Sequence, residues 1–336
     1  MKKRILFIVN PISGVGRQRR IETLIERNLN LDRFDYEVRY TERIHHGTQL
    51  AREAVEEGGF DAIVAVGGDG SVNDVVNGIV GSGTANGGIV GSGITMGIIP
   101  CGSGNGLARN LKIPLTPALA IKLVNDFYVA PIDTVQLNDT YYVSIAGIGF
   151  DAQVARRMKL AKVRGFQAYA NICVTDYPTS KNTLYRMTID GREVERSAWF
   201  VSFANSNQFG YNTAIAPLAR LDDGLIDVCI VDKIPLAHLP LTAPLVYMNH
   251  FEVSQHVEIF KAHEVIVHNN DAKWVNIDGE GESVGTELHF TNIPRSLNII
   301  CRRPQHLPNP KVLAKKAIRR IERDINEIKT TLIPNE

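Results

Sequence analysis

The sequence predicts a parallel α/β domain followed by a mostly antiparallel, β-rich second domain. Over the first 130 residues, apolar runs such as Ile5–Val9 and Asp61–Val66 alternate with helical patterns such as Arg17–Leu29. Alternation of this kind is typical of βαβ units, in which helices cover both faces of a parallel sheet. From about Pro131 the pattern changes to short β-like runs separated by glycine and asparagine, which favours antiparallel pairing.

The elements of the first domain, residues 1–130, follow from the spacing of apolar residues. Buried parallel strands are short and continuously apolar, whereas the helices between them repeat apolar residues every three or four positions. In sheets of this kind ligands bind beyond the carboxyl ends of the strands, so a site is expected in the loops there. We expect strands at Ile5–Val9, Tyr36–Tyr40, Asp61–Val66 and Met96–Ile99, and helices at Arg17–Leu29, Thr48–Glu57, from about Asn73 and from about Asn105.

The second domain is expected to span residues 131–305. Two helices, near Ala152–Asn171 and Leu236–His250, interrupt its strands. The β-like runs are Tyr141–Ala146, Leu184–Asp190, Val194–Ala204, Leu225–Val231, Val265–His268, Trp274–Asp278, Glu287–Phe290 and Leu297–Cys301.

The last segment, residues 306–336, has the pattern of a basic amphipathic helix. Lys311–Arg323 holds six basic residues and one acidic residue. We expect this helix to pack back on the first domain; a second subunit or a membrane surface are the alternatives. The apolar residues that share one of its faces are Ile318, Ile321, Ile325, Ile328 and Leu332.

The bulk composition excludes several classes of function. Lys+Arg is 37 against Asp+Glu 36, a net charge of +1, which leaves no basic surplus for non-specific nucleic-acid binding. The four cysteines form no C-x-x-C pair, which indicates reduced thiols and neither a disulfide framework nor a zinc site. No stretch approaches the ~18 apolar residues that cross a bilayer. We therefore expect a cytoplasmic protein without a transmembrane segment.

Glycine is concentrated in one stretch of the chain. Of the 28 glycines, 14 lie between Gly67 and Gly106. Gly-Gly-Asp-Gly-Ser at 67–71 follows a predicted strand and precedes a predicted helix, so its N–H groups and the positive end of the helix can surround an anion. Because a carboxylate repels a bare phosphate, Asp69 indicates a cation bound with the phosphates, or a carboxylate that acts on a hydroxyl or a proton.

Two further loops share this character. Asn10–Gly14 follows the first strand, and Pro100–Asn105 follows the strand at Met96–Ile99. Three strand ends thus bring glycine, serine and asparagine to one edge of the sheet, where these groups can bind a polyphosphate. The glycines of Gly81–Gly93 are separated by Ser, Thr and Asn and are typical of a flexible excursion. Neither the P-loop motif nor the Rossmann motif is present.

These loops resemble the diacylglycerol kinase catalytic-domain family, which includes bacterial lipid kinases and sphingosine kinases. The Gly-Gly-Asp-Gly-Ser motif is shared with NAD kinases and phosphofructokinases, so the resemblance implies their nucleotide-domain fold. Asn10–Gly14 and Asn73–Gly78 are what indicate the lipid kinases. The family implies ATP- and Mg²⁺-dependent phosphorylation of a lipid hydroxyl, on diacylglycerol or a related lipid. The resemblance covers about residues 4–301 and includes Ser144–Ala152, Leu221–Leu225 and Ile277–Glu280.

Asp278 and Glu280 lie two residues apart after a strand-like run. In an extended chain such residues face the same way, and two adjacent carboxylates raise one pKa, which suits a general base near neutral pH. A hairpin with two solvated acids is the alternative. The resemblance implies that Glu280 accepts the proton of the lipid hydroxyl, with Asp278 and Asp69 in support.

The segment Arg220–Leu225 is either a turn before a strand or a site for a hard cation, since it offers adjacent carboxylates and loop carbonyls. The resemblance implies Mg²⁺ at Asp223, with the backbone of Arg220 and Leu225. The positions that it implies for nucleotide binding are Asn10, Pro11, Ser13, Gly14, Thr41, Gly67, Gly68, Asp69, Gly70, Ser71, Asn73, Asp74, Gly102, Ser103, Gly104 and Asn105.

The acceptor lipid stays open. Asn105-Gly106 lacks the Asn-Asp of many bacterial members and is closer to the sphingosine kinase branch, whereas Gly149–Ala152 has the bacterial form. A sphingoid base or a ceramide is therefore the alternative acceptor. A NAD kinase and an inactive binding module are less favoured, because the Asn-Pro motif and the three carboxylates are present. A lipid acceptor implies peripheral contact with the inner face of a membrane, and a homodimer is a further option.

Overall fold

Four parallel strands form one side of the larger sheet in the computed structural model, which describes residues 1–13, 20–83, 93–160, 166–210, 213–248 and 250–303. They are β1 Lys3–Val9, β2 Phe34–Tyr40, β3 Ala62–Gly67 and β4 Thr95–Pro100, in the order β2-β1-β3-β4. β3 and β4 are buried along their whole length, as expected for strands covered on both faces. The predicted α/β first domain is confirmed.

Helices connect these strands. α3 begins at Asp69 and not near Asn73, because Gly68 already serves as its N-cap residue directly after β3. The predicted contact at Gly14, most of the excursion at Gly81–Gly93 and the helix within 306–336 lie outside the described residues. In the described part of the first domain, the helices are α1 Ile21–Asn28, α2 His46–Glu57, α3 Asp69–Gly81, α4 Gly106–Asn110 and α5 Pro117–Asp126.

The larger sheet continues beyond β4 into the second half of the chain. Its next strand, β18 Leu288–Ile300, runs parallel to β4 and antiparallel to β5 Val129–Leu137. One long strand therefore joins the two halves by hydrogen bonds, a pairing between distant segments that leaves no local sequence pattern. The remaining strands of this sheet are β15 Glu264–Val267, β8 Thr183–Ile189, β9 Arg192–Ala198 and β6 Thr140–Tyr142.

The second sheet is antiparallel at every described pairing, which confirms the expected character of the β-rich part. Two predicted strands each divide into a pair: Tyr141–Ala146 into β6 and β7, and Val194–Ala204 into β9 and β10. The members of each pair lie in different sheets, and no glycine or proline marks the crossing. In spatial order the strands are β14 Val257–Ala262, β13 Ile226–Val231, β10 Phe200–Ala204, β7 Ile145–Gly149, β16 Trp274–Ile277 and β17 Glu280–Ser283.

Helices flank this second sheet. The region predicted as one helix over Ala152–Asn171 contains α6 and α7, with residues 161–165 between them outside the described ranges, and α6 packs on β16 and β17. No helix within the described ranges is long and apolar enough to cross a bilayer. The elements are α6 Phe150–Leu160, α7 Phe166–Asp176 and α8 Leu239–Tyr247, with 3-10 turns at Leu236–His238 and Phe251–Val253 and a small two-stranded sheet of β11 Gln208–Gly210 and β12 Thr213–Ala214.

The two sheets pack face to face through an apolar cluster. Phe203 of β10 stacks on Phe290 of β18 with ring centroids 3.9 Å apart, and Tyr142 meets Phe290 edge-on. All three side chains are buried, and the Tyr142 hydroxyl donates to the Phe203 carbonyl oxygen at 2.9 Å. The second part of the chain is therefore a sandwich that shares its larger sheet with the first part.

Phe290→Ala is expected to lower the free energy of unfolding by about 3–5 kcal/mol, because the lost ring leaves a cavity between the sheets. Equilibrium denaturation in urea measures it. Leu184→Ala on β8, at a side chain that is 50% exposed, is the control and should change the value by less than about 0.5 kcal/mol. Equal losses in the two variants would show that the sheets do not depend on this cluster.

Candidate active site

The loops after β1, β3 and β4 meet at the carboxyl edge of the larger sheet. The Asn10 N–H donates to the Val66 carbonyl oxygen at 3.1 Å, and its side-chain Nδ2 donates to Ser71 Oγ at 3.3 Å. From the third loop, the Cys101 N–H donates to the Gly67 carbonyl oxygen at 2.7 Å. The convergence expected from the sequence is therefore present.

Glycine is required where the second and third loops touch. A Cβ on Gly102 would lie 2.5 Å from the Cα of Gly68, closer than real Cβ atoms come to backbone. A Cβ on Gly67 would likewise lie 2.2 Å from Ser71 Oγ. The two loops thus approach backbone to backbone with no side chain between them, which is the arrangement that phosphate-binding loops use.

Asp69 is the first residue of α3 and holds the third loop. Its Oδ2 accepts the Asn105 N–H at 2.7 Å, and its Oδ1 accepts the Gly106 N–H at 2.7 Å. Asn105 has a left-handed φ of 53° at this turn. Burial, with the Asp278 carboxylate nearby, raises the pKa of Asp69 to about 6 against the opposing effect of these N–H groups. Asp69 therefore fixes the shape of the loop as well as lining the cleft described below.

Asp278 is buried and holds three segments together. Its Oδ1 accepts the N–H groups of Ser144 at 2.8 Å and Ile145 at 3.1 Å. Its Oδ2 accepts Asn73 Nδ2 at 3.0 Å and the Val143 N–H at 3.2 Å. Burial raises the pKa of this carboxyl, and the hydrogen bonds oppose the rise. With four donors, Asp278 positions the β6–β7 junction against α3.

The expectation that Asp278 and Glu280 share one face of a strand is wrong. Ile277 of β16 pairs with Glu280 of β17, and Asp278 and Gly279 are the two turn residues, with φ of 48° and 93°. Positive φ at both positions is what a tight hairpin turn requires. The turn places the two carboxylates in different surroundings, so burial and not a carboxylate partner on the same strand is the main cause of the raised pKa of Asp278.

Glu280 lies over the start of α3. A Cβ on Gly70 would be 3.2 Å from Glu280 Oε1, so the carboxylate borders the second glycine loop. On the other side, a Cβ on Gly281 would lie 2.7 Å from the backbone nitrogen of Arg156 in α6. Lys159 of α6 also donates to the Gly281 carbonyl oxygen at 3.1 Å. α6 therefore clamps the hairpin and fixes Glu280 beside the glycine loops.

One cleft of ≈ 2530 Å³ runs along these residues. Asp278 and Glu280 line it, whereas Gly67 and Asn105 are buried and do not. The other predicted nucleotide-binding residues that line it are Asn10, Pro11, Ser13, Thr41, Gly68, Asp69, Gly70, Ser71, Asn73, Asp74, Gly102, Ser103 and Gly104.

The cleft becomes apolar where it enters the β-rich part. Trp199, which stacks on Phe150 with ring centroids 4.3 Å apart, belongs to this end. The Glu280 hairpin borders both ends, since it touches Gly70 and packs on α6, which adds Ala155 and Met158 to the lining. The apolar lining consists of Tyr169, Cys173, Trp199, Phe200, Ile215, Ile234, Leu239 and Phe251.

His45 and Asn77 are further contributors to which the sequence analysis gave no role, although Asn77 lies in the Asn73–Gly78 motif. His45, with a left-handed φ of 58°, places Nδ1 3.1 Å from Asp74 Oδ1 at the rim of the cleft. Asn77 Oδ1 accepts the Tyr141 N–H at 2.8 Å and ties α3 to β6. The available signal was the pair of asparagines, Asn73 and Asn77, spaced four apart on a helix that is otherwise largely apolar.

Asp151 is a buried carboxylate in the lining to which the sequence analysis also gave no role, although it lies in Ser144–Ala152. Asn276 Nδ2 donates to both of its oxygens, at 3.0 and 2.9 Å, and Asn276 Oδ1 accepts the Gly279 N–H at 3.0 Å. Asp151 is thus linked to the turn that precedes Glu280. Burial raises the pKa of Asp151 to about 6, against the effect of the Asn276 amide.

Asp151→Asn is expected to remove part of the pH dependence of stability between about pH 4 and pH 6. A folded-state pKa near 6, above the ordinary 3.8, means that the buried charge destabilises the fold above pH 6. As the pH falls toward 4, protonation of Asp151 removes this destabilisation in the wild type. The variant does not change, because asparagine does not titrate. The free energy of unfolding in urea is measured for both proteins at pH 5 and pH 7. The value for the variant minus that for wild type should be larger at pH 7 than at pH 5. An equal difference at both pH values would contradict this.

The residues predicted to hold Mg²⁺ do not line the cleft. Asp223 Oδ2 accepts Lys261 Nζ at 3.1 Å, and Oδ1 accepts the Leu225 N–H at 3.3 Å. The Leu225 carbonyl accepts a side-chain amide, and Arg220 pairs with the neighbouring Asp222. Because the Lys261 ammonium stands beside the carboxylate, this arrangement does not fit a cation there. Within the described ranges, no three His, Cys, Asp or Glu side chains are grouped to hold a metal.

Two family models match the chain. Residues 4–137 match the diacylglycerol kinase catalytic domain. Residues 144–301 match the YegS C-terminal NAD kinase beta sandwich-like domain. Together they cover the loops after β1, β3 and β4, the sandwich and the hairpin of Glu280.

Proteins of known name resemble the chain over most of its length. A diacylglycerol kinase of Bacillus subtilis is 28% identical over 302 residues, 89% of this chain and 96% of the relative. One from Staphylococcus aureus is 28% identical over 320 residues, 94% of this chain and 96% of the relative. The crystal structure of a putative diacylglycerol kinase from Bacillus anthracis matches with a TM-score of 0.70 at 23% identity, over 92% of this chain and 98% of that one. At that identity the structural likeness supports the fold alone.

Proposed function

Because the chain belongs to the diacylglycerol kinase catalytic-domain family and is a lipid kinase, we propose that it transfers the γ-phosphoryl group of ATP to the free hydroxyl of diacylglycerol. One observation carries the proposal: a single cleft has glycine loops at one end and an apolar lining at the other. A nucleoside triphosphate suits the first end, and acyl chains suit the second. The Glu280 hairpin borders both.

The nucleotide is proposed to lie against the glycine loops. The close approach of Gly68 and Gly102 leaves room for phosphate oxygens near backbone, and the N-terminus of α3 directs its positive end at the same place. Asp69 keeps the third loop in shape through its two backbone hydrogen bonds. Mg²⁺ that accompanies ATP supplies neutralisation of the phosphate charge when bound.

Glu280 is proposed to act as the general base. Its carboxylate accepts the proton of the acceptor hydroxyl, the hydroxyl oxygen forms the new bond to the γ-phosphorus, and the bond to the oxygen of the departing ADP breaks. Asp278 is a positioning residue, since its four hydrogen bonds fix the turn from which Glu280 follows. Most of the rate enhancement then comes from positioning and charge neutralisation.

An acceptor panel tests the proposal. Full-length protein is incubated with labelled ATP, Mg²⁺ and detergent-dispersed diacylglycerol, ceramide or a sphingoid base, or with soluble NAD. We expect labelled phosphatidic acid as the main product. Preferred labelling of ceramide or the sphingoid base would contradict diacylglycerol as the acceptor. Labelling of NAD with no labelled lipid would contradict the proposal that the cleft binds a lipid.

A further inference from the structure

Exposed apolar side chains of the β-rich half gather around the apolar end of the cleft. In the described chain after residue 131, eight large apolar side chains are strongly exposed, and Leu184 alone lies on a segment that does not line the cleft. The others are neighbours of lining residues on α6, on α7, near Ile215 or on the segment 236–253. They are Leu160, Val174, Leu218, Leu236, Leu241, Met248 and Val253.

The segment around α8, residues 234–251, carries apolar side chains both toward the cleft and on the outer surface. Leu239 and Thr242 face the cleft, whereas Leu241 is 77% exposed and Leu236, in the 3-10 turn before α8, is 69% exposed. The cleft wall and the outer surface are thus built by the same short piece of chain. α7 repeats this arrangement, because Cys173 lines the cleft and the adjacent Val174 is 75% exposed.

This segment is also free of formal charge. No Asp, Glu, Lys or Arg occurs from residue 234 to residue 251, between Lys233 and Glu252. An ordinary exposed helix carries charged residues on its outer face, and their absence lowers the cost of entering a lipid boundary. α8 has nine residues, about 14 Å of helix, and is too short to cross a bilayer core of about 30 Å. If such a helix contacts a bilayer, it lies along the surface and does not cross the core.

We propose that this cleft-mouth surface, formed by Leu236, Leu241, Met248, Val253 and Val174, docks on the bilayer that contains the lipid acceptor. The inference rests on the proposed function, since diacylglycerol with long acyl chains resides in the bilayer. Docking buries the exposed apolar side chains in the headgroup–acyl boundary, a favourable transfer. It also places the apolar end of the cleft against the acyl chains, so the acceptor enters without crossing water.

Vesicle binding tests the surface directly. The double variant Leu236→Gln/Leu241→Gln is compared with Leu184→Gln in co-sedimentation with phosphatidylcholine vesicles that contain diacylglycerol. Because docking would bury both leucines and the double variant replaces them with polar side chains, we expect the double variant to bind about tenfold or more weakly. Leu184→Gln should change binding by less than about twofold. Binding of the double variant equal to wild type would overturn the proposal.

Activity measurements separate this proposal from the proposed function. With a short-chain diacylglycerol dissolved as monomers, the double variant should keep its rate within about twofold, whereas its rate on vesicles should fall with its binding. If wild type phosphorylates neither form, the proposed function fails, and vesicle binding alone still decides the surface. Equal losses on monomeric and vesicle substrate would show that the variant damages the cleft and would overturn membrane docking as the cause.

A tryptophan probe reports contact without depending on loss of function. Leu241→Trp should shift its emission to shorter wavelength when vesicles are added, and Leu184→Trp should not. The background from Trp199 and Trp274 is common to both proteins. A second copy of this chain is the competing occupant of the surface. A dimer in sedimentation equilibrium that the double variant converts to monomer, without vesicles, would overturn the proposal.

Discussion

Glu280→Gln is expected to abolish turnover while ATP binding stays within about twofold of wild type. Glutamine has nearly the shape of glutamate, so the contact over Gly70 and the hairpin pairing with Ile277 should persist. An amide, however, cannot accept the proton of the acceptor hydroxyl. Since general bases contribute about 10²–10⁴ in rate, kcat should fall at least about a hundredfold.

Calorimetric titration with ATP and steady-state assays on dispersed diacylglycerol measure the two effects separately. Glu287→Gln is a suitable control, because this exposed acid pairs with His289 away from the cleft. Its kcat should match that of wild type. Full turnover in Glu280→Gln would remove Glu280 as the base, and loss of ATP binding would assign it to the nucleotide instead.

The nucleotide end of the site could be predicted because its signals are local. A strand such as β3 is continuously apolar, and the glycine turn and helix follow it directly in the chain. Parallel strands place their carboxyl ends at one edge of the sheet. The three loops that follow these strands are therefore expected to lie together, although they are far apart in the sequence. The positions of Gly68, Gly102 and Asn10 follow from this reasoning alone.

The substrate end could not be predicted, because contacts between distant segments build it. Asp151 meets Asn276 across 125 residues, and Lys159 meets Glu282 across 123 residues. Neither pair produces a periodicity or a motif. The chain also passes from one sheet to the other near Val143 without a glycine or proline, so the sequence carries no turn signal for this crossing.

The turn before Glu280 was the exception, because its signal is local, and a hairpin there was considered only as an alternative with two solvated acids. Asp-Gly between two β-like runs is the usual two-residue hairpin turn, since both positions need positive φ. Placing Asp278 and Glu280 on one strand relied on their spacing of two and gave this rule too little weight. With the turn assigned, Asp278 becomes a buried positioning residue and Glu280 alone borders the glycine loops.

Gly102→Ala is expected to weaken ATP binding by about tenfold or more. The new methyl group would lie 2.5 Å from the Cα of Gly68 and 3.0 Å from Asn105 Oδ1. Backbone cannot yield as the end of a flexible side chain can, so the second and third loops must separate. The backbone N–H groups of the two loops could then no longer donate to the same phosphate group. A misplacement of reacting groups by about 1 Å costs about a hundredfold in rate.

Gly81→Ala is the matched control. Among the described residues, its Cβ would meet Arg52 Nη2 at 3.8 Å and Tyr141 Cε2 at 4.0 Å, which is ordinary contact, at the last residue of α3. Calorimetric titration with ATP should distinguish the two alanines, while thermal unfolding shows whether either fold is damaged. Normal ATP affinity in a folded Gly102→Ala protein would mean that the backbone contact between the loops is structural and that the phosphates bind elsewhere. Weak affinity with an intact fold would support phosphate binding where the second and third loops meet.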